Sequence, residues 1–139
     1  MTTHEFLGLD VGAVRTGLAR GNSIARIAQP LAAIKTERLV DDLPQLAKRY
    51  SASGIVVGLP RGLNGNETPQ TEWVRKWASR AQTKLDLPFY WQDEALTTIE
   101  ARNKNHESRK KADEDSLAAA VILQDFLDTP EHERMMAQG

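Results

Sequence analysis

The sequence predicts one α/β domain built on a mixed five-stranded sheet: a three-strand antiparallel meander plus two parallel strands, with helices on both faces. Three observations carry this expectation. The first third of the chain reads as three short strands joined by tight turns. Two later apolar runs each follow a segment of helical periodicity, which is the pattern of a right-handed crossover to a parallel strand. The 139 residues match a single domain at roughly 150 residues per domain.

The elements follow in order. Phe6–Gly12 reads as a buried strand ending on Asp10 before Gly12, and Leu18-Ala19 as a second strand after Gly17. Gly21-Asn22-Ser23 is a hairpin-type turn signal, and Ile24–Ile34 is compatible with a third strand. Leu43, Leu46, Ala47 and Tyr50 then recur at helical spacing. Pro44 confines the start of that helix to Asp41 or Asp42, either of which would also cap it. Ile55–Pro60 is a continuous apolar strand of the kind covered on both faces.

Arg61–Glu67, with two Gly and two Asn and no periodicity, reads as a loop. Thr68-Pro69 reads as an N-cap followed by proline in the first turn, and Trp73, Val74, Trp77, Ala78, Ala81 and Leu85 form one helical face. The two tryptophans on that face are read as core. Leu87–Trp91 is a fifth strand that delivers Asp93 and Glu94 at its end, and Thr97 with Glu100 fits a capping box for a short helix. A last helix from about Glu114 to Leu127 is apolar nearly all round and hence buried. The expected division is a domain over residues 1–128 and a loosely ordered C-terminal tail over 129–139.

Composition narrows the chemistry. The absence of cysteine excludes a disulfide scaffold, Cys-ligated zinc, iron–sulfur clusters and a thiol nucleophile. His4, His106 and His132 have no metal-ligand spacing. No apolar run approaches the ~20 residues of a membrane span, and no signal-peptide core is present, so a soluble cytoplasmic protein is expected. The formal charge of -1 gives no global basic field. Between Arg102 and Lys111, however, five Lys/Arg stand against one acid, Glu107.

Three acidic positions fall where chemistry is usually placed. Asp10 ends the first strand, Asp93-Glu94 the fifth, and Asp115 opens the last helix. Ligands of open α/β sheets bind near the carboxyl ends of strands. A hard cation such as Mg²⁺ takes oxygen ligands, and two ions about 3.5–4 Å apart can activate water and stabilise the leaving oxygen in phosphodiester hydrolysis. Each position also has a plain structural use. Asp10 suits a turn, acids 113–115 suit the positive end of a helix dipole, and a basic run suits a solvated surface.

The blocks taken together resemble a known family. Gly8-Leu9-Asp10-Val11-Gly12 with Arg15 and Gly17-Leu18-Ala19 is similar to the opening motif of the YqgF/RuvX family. Ala28-Gln29-Pro30-Leu31, Val56-Val57-Gly58-Leu59-Pro60 with Asn64-Gly65, Asp93-Glu94 before Leu96-Thr97-Thr98, and Asp115–Ala119 through Leu123–Leu127 resemble its later blocks. They run in order over residues 6–128. The resemblance implies an RNase H-like fold related to Holliday junction resolvases. It also implies a Mg²⁺- or Mn²⁺-dependent nuclease acting on the 5′ end of the 16S ribosomal RNA precursor.

By position, Asp10, Glu94 and Asp115 would be catalytic, with these three and a supporting Asp93 as the metal ligands. Asp10 would bridge two ions, with Glu94 on one and Asp115 on the other. Arg15, Arg61, Asn64, Lys104, Arg109, Lys110 and Lys111 are the candidates for holding nucleic acid, which is structured RNA or branched DNA, with a ribosomal precursor as a further partner. One position departs from the family pattern: Ala95 stands where the family usually has Arg, and Arg61, Arg109, Lys110 or Lys111 are candidates to supply that charge.

Two other classes share part of the signal. Sugar kinases and actin-like ATPases open with a similar Asp-x-Gly turn, but they close a second domain over nucleotide that 139 residues do not supply. A non-catalytic RNA- or ribosome-binding module on the same fold is the rival from outside enzymology, and junction resolution is the variant within it.

Overall fold

The structure, a computed structural model, describes residues 3–62, 64–95 and 111–137. Strands β1 (Glu5–Val11), β2 (Arg15–Asn22) and β3 (Gln29–Lys35) are followed by helix α1 (Thr36–Arg49), β4 (Gly54–Arg61), α2 (Pro69–Gln82) and β5 (Phe89–Ala95). Helix α3 (Lys111–Asp128), a 3-10 turn (Glu131–Glu133) and β6 (Met135–Met136) complete the described chain. The sheet order is β3-β2-β1-β4-β5-β6. β1 pairs antiparallel with β2 and β2 with β3, while β4 runs parallel to β1 and β5 parallel to β4.

The alternation of the central strands sorts the core into two layers. Leu7, Leu9, Ile55, Val57, Leu59 and Phe89 point to one face, where they meet Leu39 and Leu43 of α1 and Val74, Trp77 and Ala78 of α2. Phe6, Ala19 and Val56 point to the other, under Ala118, Ala119, Ile122, Leu123, Phe126 and Leu127 of α3. Trp77 is core as expected, whereas Trp73, a turn earlier on α2, is 37% exposed.

The starts of the first helix and of the third strand differ from the sequence expectation, the one for a tertiary reason and the other for a local one. Helix α1 begins at Thr36 and carries Pro44 inside it. Lys35 makes no side-chain cap; instead the Thr36 N–H donates to the Val14 carbonyl (2.9 Å) and its hydroxyl to the Gly12 carbonyl (2.6 Å), so the β1–β2 turn sets the helix start. The third strand begins at Gln29, later than Ile24, because the Asn22 side chain accepts from the Ile24 and Ala25 N–H groups and curls the chain into a turn. Its Pro30 is tolerated because β3 lies at the sheet edge.

The sheet has six strands, not five: the segment expected as a loose tail supplies β6, antiparallel to β5. Met135 and Met136 stay largely exposed there. The segment is held by the Ala137 N–H to the Phe89 carbonyl (2.7 Å) and by the Arg134 guanidinium, 4.3 Å from the centre of the Phe126 ring. Backbone pairing and a cation–π contact leave no apolar pattern to read.

The α2 start follows its sequence signal. The Thr71 N–H donates to the Thr68 hydroxyl, and the Thr68 N–H to the Thr71 hydroxyl, forming a reciprocal capping box. The second buried polar contact was not signalled. Thr16 and Thr36 share a 2.8 Å hydroxyl–hydroxyl bond beneath the β1–β2 turn. Thr36→Val strips the Gly12 carbonyl and the Thr16 hydroxyl of that partner. We expect a loss of about 1–3 kcal/mol in urea unfolding, the cost of unsatisfied buried polar groups.

Candidate active site

Asp10 is the penultimate residue of the central strand and lies on the face that α3 covers, with Phe6 and Gly8 preceding it at the two-residue period. Its cross-strand partner on β2 is Gly17. Gly17 is where α3 touches the sheet: a Cβ at that position would overlap the carbonyl of Asp115. The second turn of α3 therefore rests on the residue beside Asp10, and two carboxylates 105 positions apart in the chain come close together.

Burial pushes the Asp10 carboxyl up to about 6, and the negative charge of Asp115 adds to that rise. Arg15, on the same face one pleat from Gly17, donates its Nε–H to Asp115 Oδ2 at 3.0 Å. The site is thus two acids and one guanidinium at the carboxyl ends of the strands.

Glu94 reaches the same face from β5 and is 8% exposed. The register sets its offset. Leu9 is level with Val57, which makes Asp10 level with Gly58, whereas Glu94 is level with Pro60. Across two strand spacings and two residues, its backbone is about 10 Å sideways and about 6–7 Å further along. Among the described residues no three His, Cys, Asp or Glu form a group that could hold one metal ion. A carboxylate pair still fits a hard cation, because Mg²⁺ is usually held by one or two carboxylates with water and phosphate completing its shell. Two neighbouring carboxyl groups, one of them largely buried, are a donor set that suits such an ion.

Asp93 is separated from this group. Adjacent strand residues face opposite sides, so Asp93 lies on the α2 side, where Arg61 grips it at 3.3 Å. The expectation that Asp93 supports the same metal site therefore meets a topological obstacle, with the sheet between them. Arg61 also pairs with Glu67 at 3.3 Å, and Glu67 with Arg75 at 3.0 Å, so its charge is engaged by two acids rather than left open to phosphate. In register, Arg61 is the residue opposite Ala95. Asn64 Oδ1 accepts from the Asn66 N–H at 3.3 Å and shapes the loop after β4. Gly58 faces α3, where a Cβ would run into Ile122, so it serves packing as well as the floor of the site.

Lys104, Arg109, Lys110 and the capping-box pair Thr97 and Glu100 lie outside the described residues, and Lys111 is the first residue of α3. The Arg15–Asp115 pair and the Thr16–Thr36 support were not read from sequence. Neither has a local signal, since each joins residues brought together only by the fold.

An antiparallel meander extended by two parallel strands, with an acid near the end of the central strand and another in the N-terminal part of a helix packed across it, defines an RNase H-like domain. The comparison with solved structures agrees. Thermus thermophilus RuvC in complex with a Holliday junction substrate superposes with a TM-score of 0.57 at 14% identity, covering 96% of this chain and 99% of that one. The RuvX family model, described as Holliday junction resolvase, matches residues 4–129, and the chain belongs to that family.

Among named relatives, a protein of Heliobacterium modesticaldum is 37% identical over 136 residues, 92% of this chain and 91% of its own. One of Moorella thermoacetica is 38% identical over 132 residues, 89% of this chain and 94% of its own. Both carry the name "Putative pre-16S rRNA nuclease".

Proposed function

We propose that this chain is a nuclease that hydrolyses phosphodiester bonds in the 5′ processing of the 16S ribosomal RNA precursor. The observation that carries the reading is the Asp10–Asp115 pair, brought together at the carboxyl end of the central strand of an RNase H-like sheet. Membership of the RuvX family and the names of its relatives support the reaction and the RNA substrate. Work on precursor rRNA implies the cytoplasm; among the described residues no helix is long and apolar enough to cross a membrane.

Asp10 and Asp115 are the groups that would hold a divalent cation, Mg²⁺ or Mn²⁺, with Glu94 on the same face. Bound there, such a cation supplies the positive charge and the acidified water that phosphodiester hydrolysis requires. The chain's own residues do the rest. The β1–β2 turn, braced by Thr16 and Thr36, fixes the backbone that carries Asp10 and Arg15. Arg15 pairs with Asp115 and offers a guanidinium to phosphate, a contact that places the backbone rather than reading bases. Glu94 places a further carboxyl group on this face near the end of β5.

The test is incubation with precursor 16S RNA and with a four-way DNA junction, in Mg²⁺, Mn²⁺ or EDTA. Cation-dependent cleavage of the RNA, lost in EDTA, is the expected outcome. Cutting of the junction alone favours the resolvase reading that the family description suggests. RNA binding without cleavage in any cation overturns the enzyme in favour of a binding module.

A further inference from the structure

Arg15 is a candidate for holding nucleic acid, and its guanidinium lies on an acid of the site. The contact is made by Nε–H alone, at 3.0 Å, and the two terminal amino groups form no hydrogen bond among the described residues. This is not the two-pronged grip that guanidinium and carboxylate can form. The pair is also open to water, with the Arg15 side chain 36% and Asp115 26% exposed, so the bond is easily exchanged. It sits beside Asp10, on the face where Gly17 admits α3. One positive group and two acids thus share a corner in which the proposed divalent cation would also have to sit.

We propose that Arg15 is a displaceable counter-ion: its guanidinium occupies Asp115 until a substrate phosphate draws it away, which frees the carboxylate for the divalent cation. The inference rests on the cation-site reading above and extends it to coupling between the two ligands. Guanidinium and cation compete for Asp115, so each disfavours the other in the protein without nucleic acid. Phosphate, by taking the guanidinium, favours the cation, and by reciprocity the cation favours phosphate.

The two roles open to Arg15 predict opposite signs. A residue that merely shapes the site weakens cation binding when it is removed. A competing counter-ion strengthens it. Mn²⁺ binding is measured by loss of the free-ion paramagnetic resonance signal at pH 8 and low salt, without nucleic acid, on the wild type, Arg15→Gln, Arg15→Lys and Asp10→Asn. Arg15→Gln is expected to bind Mn²⁺ about tenfold tighter, the scale of repulsion between a single and a double positive charge a few ångströms apart in a wet site. Arg15→Lys is expected to stay near the wild type, and the Arg15→Gln gain to shrink as salt shortens the Debye length. In EDTA, Arg15→Gln is expected to bind RNA more weakly, with the salt slope reduced by about one.

Circular dichroism establishes that each variant is folded. Mn²⁺ affinity unchanged or weakened in folded Arg15→Gln overturns the counter-ion role while leaving the cation site standing. Mn²⁺ bound equally by Asp10→Asn and the wild type, or by neither, overturns the cation-site reading and the inference with it.

Discussion

Asp10→Asn is expected to remove cation-dependent cleavage and, in the cation-free protein, to make the fold more stable. Loss of cleavage follows from losing one of two acids that would hold the ion. A bound divalent cation would supply several kcal/mol of transition-state stabilisation, so the expected fall is about 10³-fold or more. The gain in stability follows from the Asp10 carboxyl, which burial and Asp115 raise from 3.8 to about 6.

A raised carboxyl binds its proton more tightly folded than unfolded. Its ionised form therefore costs stability, fully above the folded value and not at all below the unfolded one. The cost at pH 8 is about 3 kcal/mol by linkage. In cation-free buffer the wild type should thus gain stability from this group as pH falls from 7 toward 4. Asp10→Asn, having no such group, should start from the higher level and lack that part of the rise. Thermal unfolding of both proteins across that range, in EDTA, measures it. Adding Mn²⁺ should raise the melting temperature of the wild type and leave Asp10→Asn unmoved, because only a ligand of the native state stabilises it.

Gly17→Ala is expected to cost more activity than its single methyl group suggests. The new Cβ would occupy the place of the Asp115 carbonyl, a backbone atom that cannot swing aside. Either the N-terminal part of α3 lifts or β2 bends away. Overpacking of this kind costs about 1–3 kcal/mol, and a shift of about 1 Å in a reacting group can lower the rate about 10²-fold.

The matched control is Gly65→Ala. That residue has φ of 79°, and a methyl group added there would meet nothing within 4 Å, so only the left-handed backbone is penalised, by about 1 kcal/mol. Cleavage by folded Gly17→Ala at the wild-type rate would show that the close approach of α3 does not set the site. Retained stability with lost cleavage would place the damage in carboxylate geometry.

The candidate acids were legible because strand-end and helix-start positions can be read locally. Asp10 follows an apolar run, Glu94 ends another, and Asp115 opens a buried helix. Their division into groups was not legible. Asp93 and Glu94 are neighbours in sequence, and only the pleat of β5, fixed by Phe89 and Tyr90 entering opposite cores, sends them to opposite faces. The basic residues show the same limit. Arg15 and Arg61 read alike as exposed phosphate binders, yet one stands on Asp115 and the other between Asp93 and Glu67.

By itself the sequence determined the order and kind of the main elements, since apolar periodicity and capping chemistry act within a few residues and survive without a partner. Tertiary structure decided which of those elements meet. It set the start of α1 through carbonyls of a distant turn, and it recruited β6 by backbone pairing. Above all it placed Asp115 against Asp10 through the missing side chain of Gly17. The physical reason is one of range. A carboxylate's identity is written at its own position, but its burial, its neighbouring charge and hence its chemistry belong to residues about a hundred positions away, which only packing brings close.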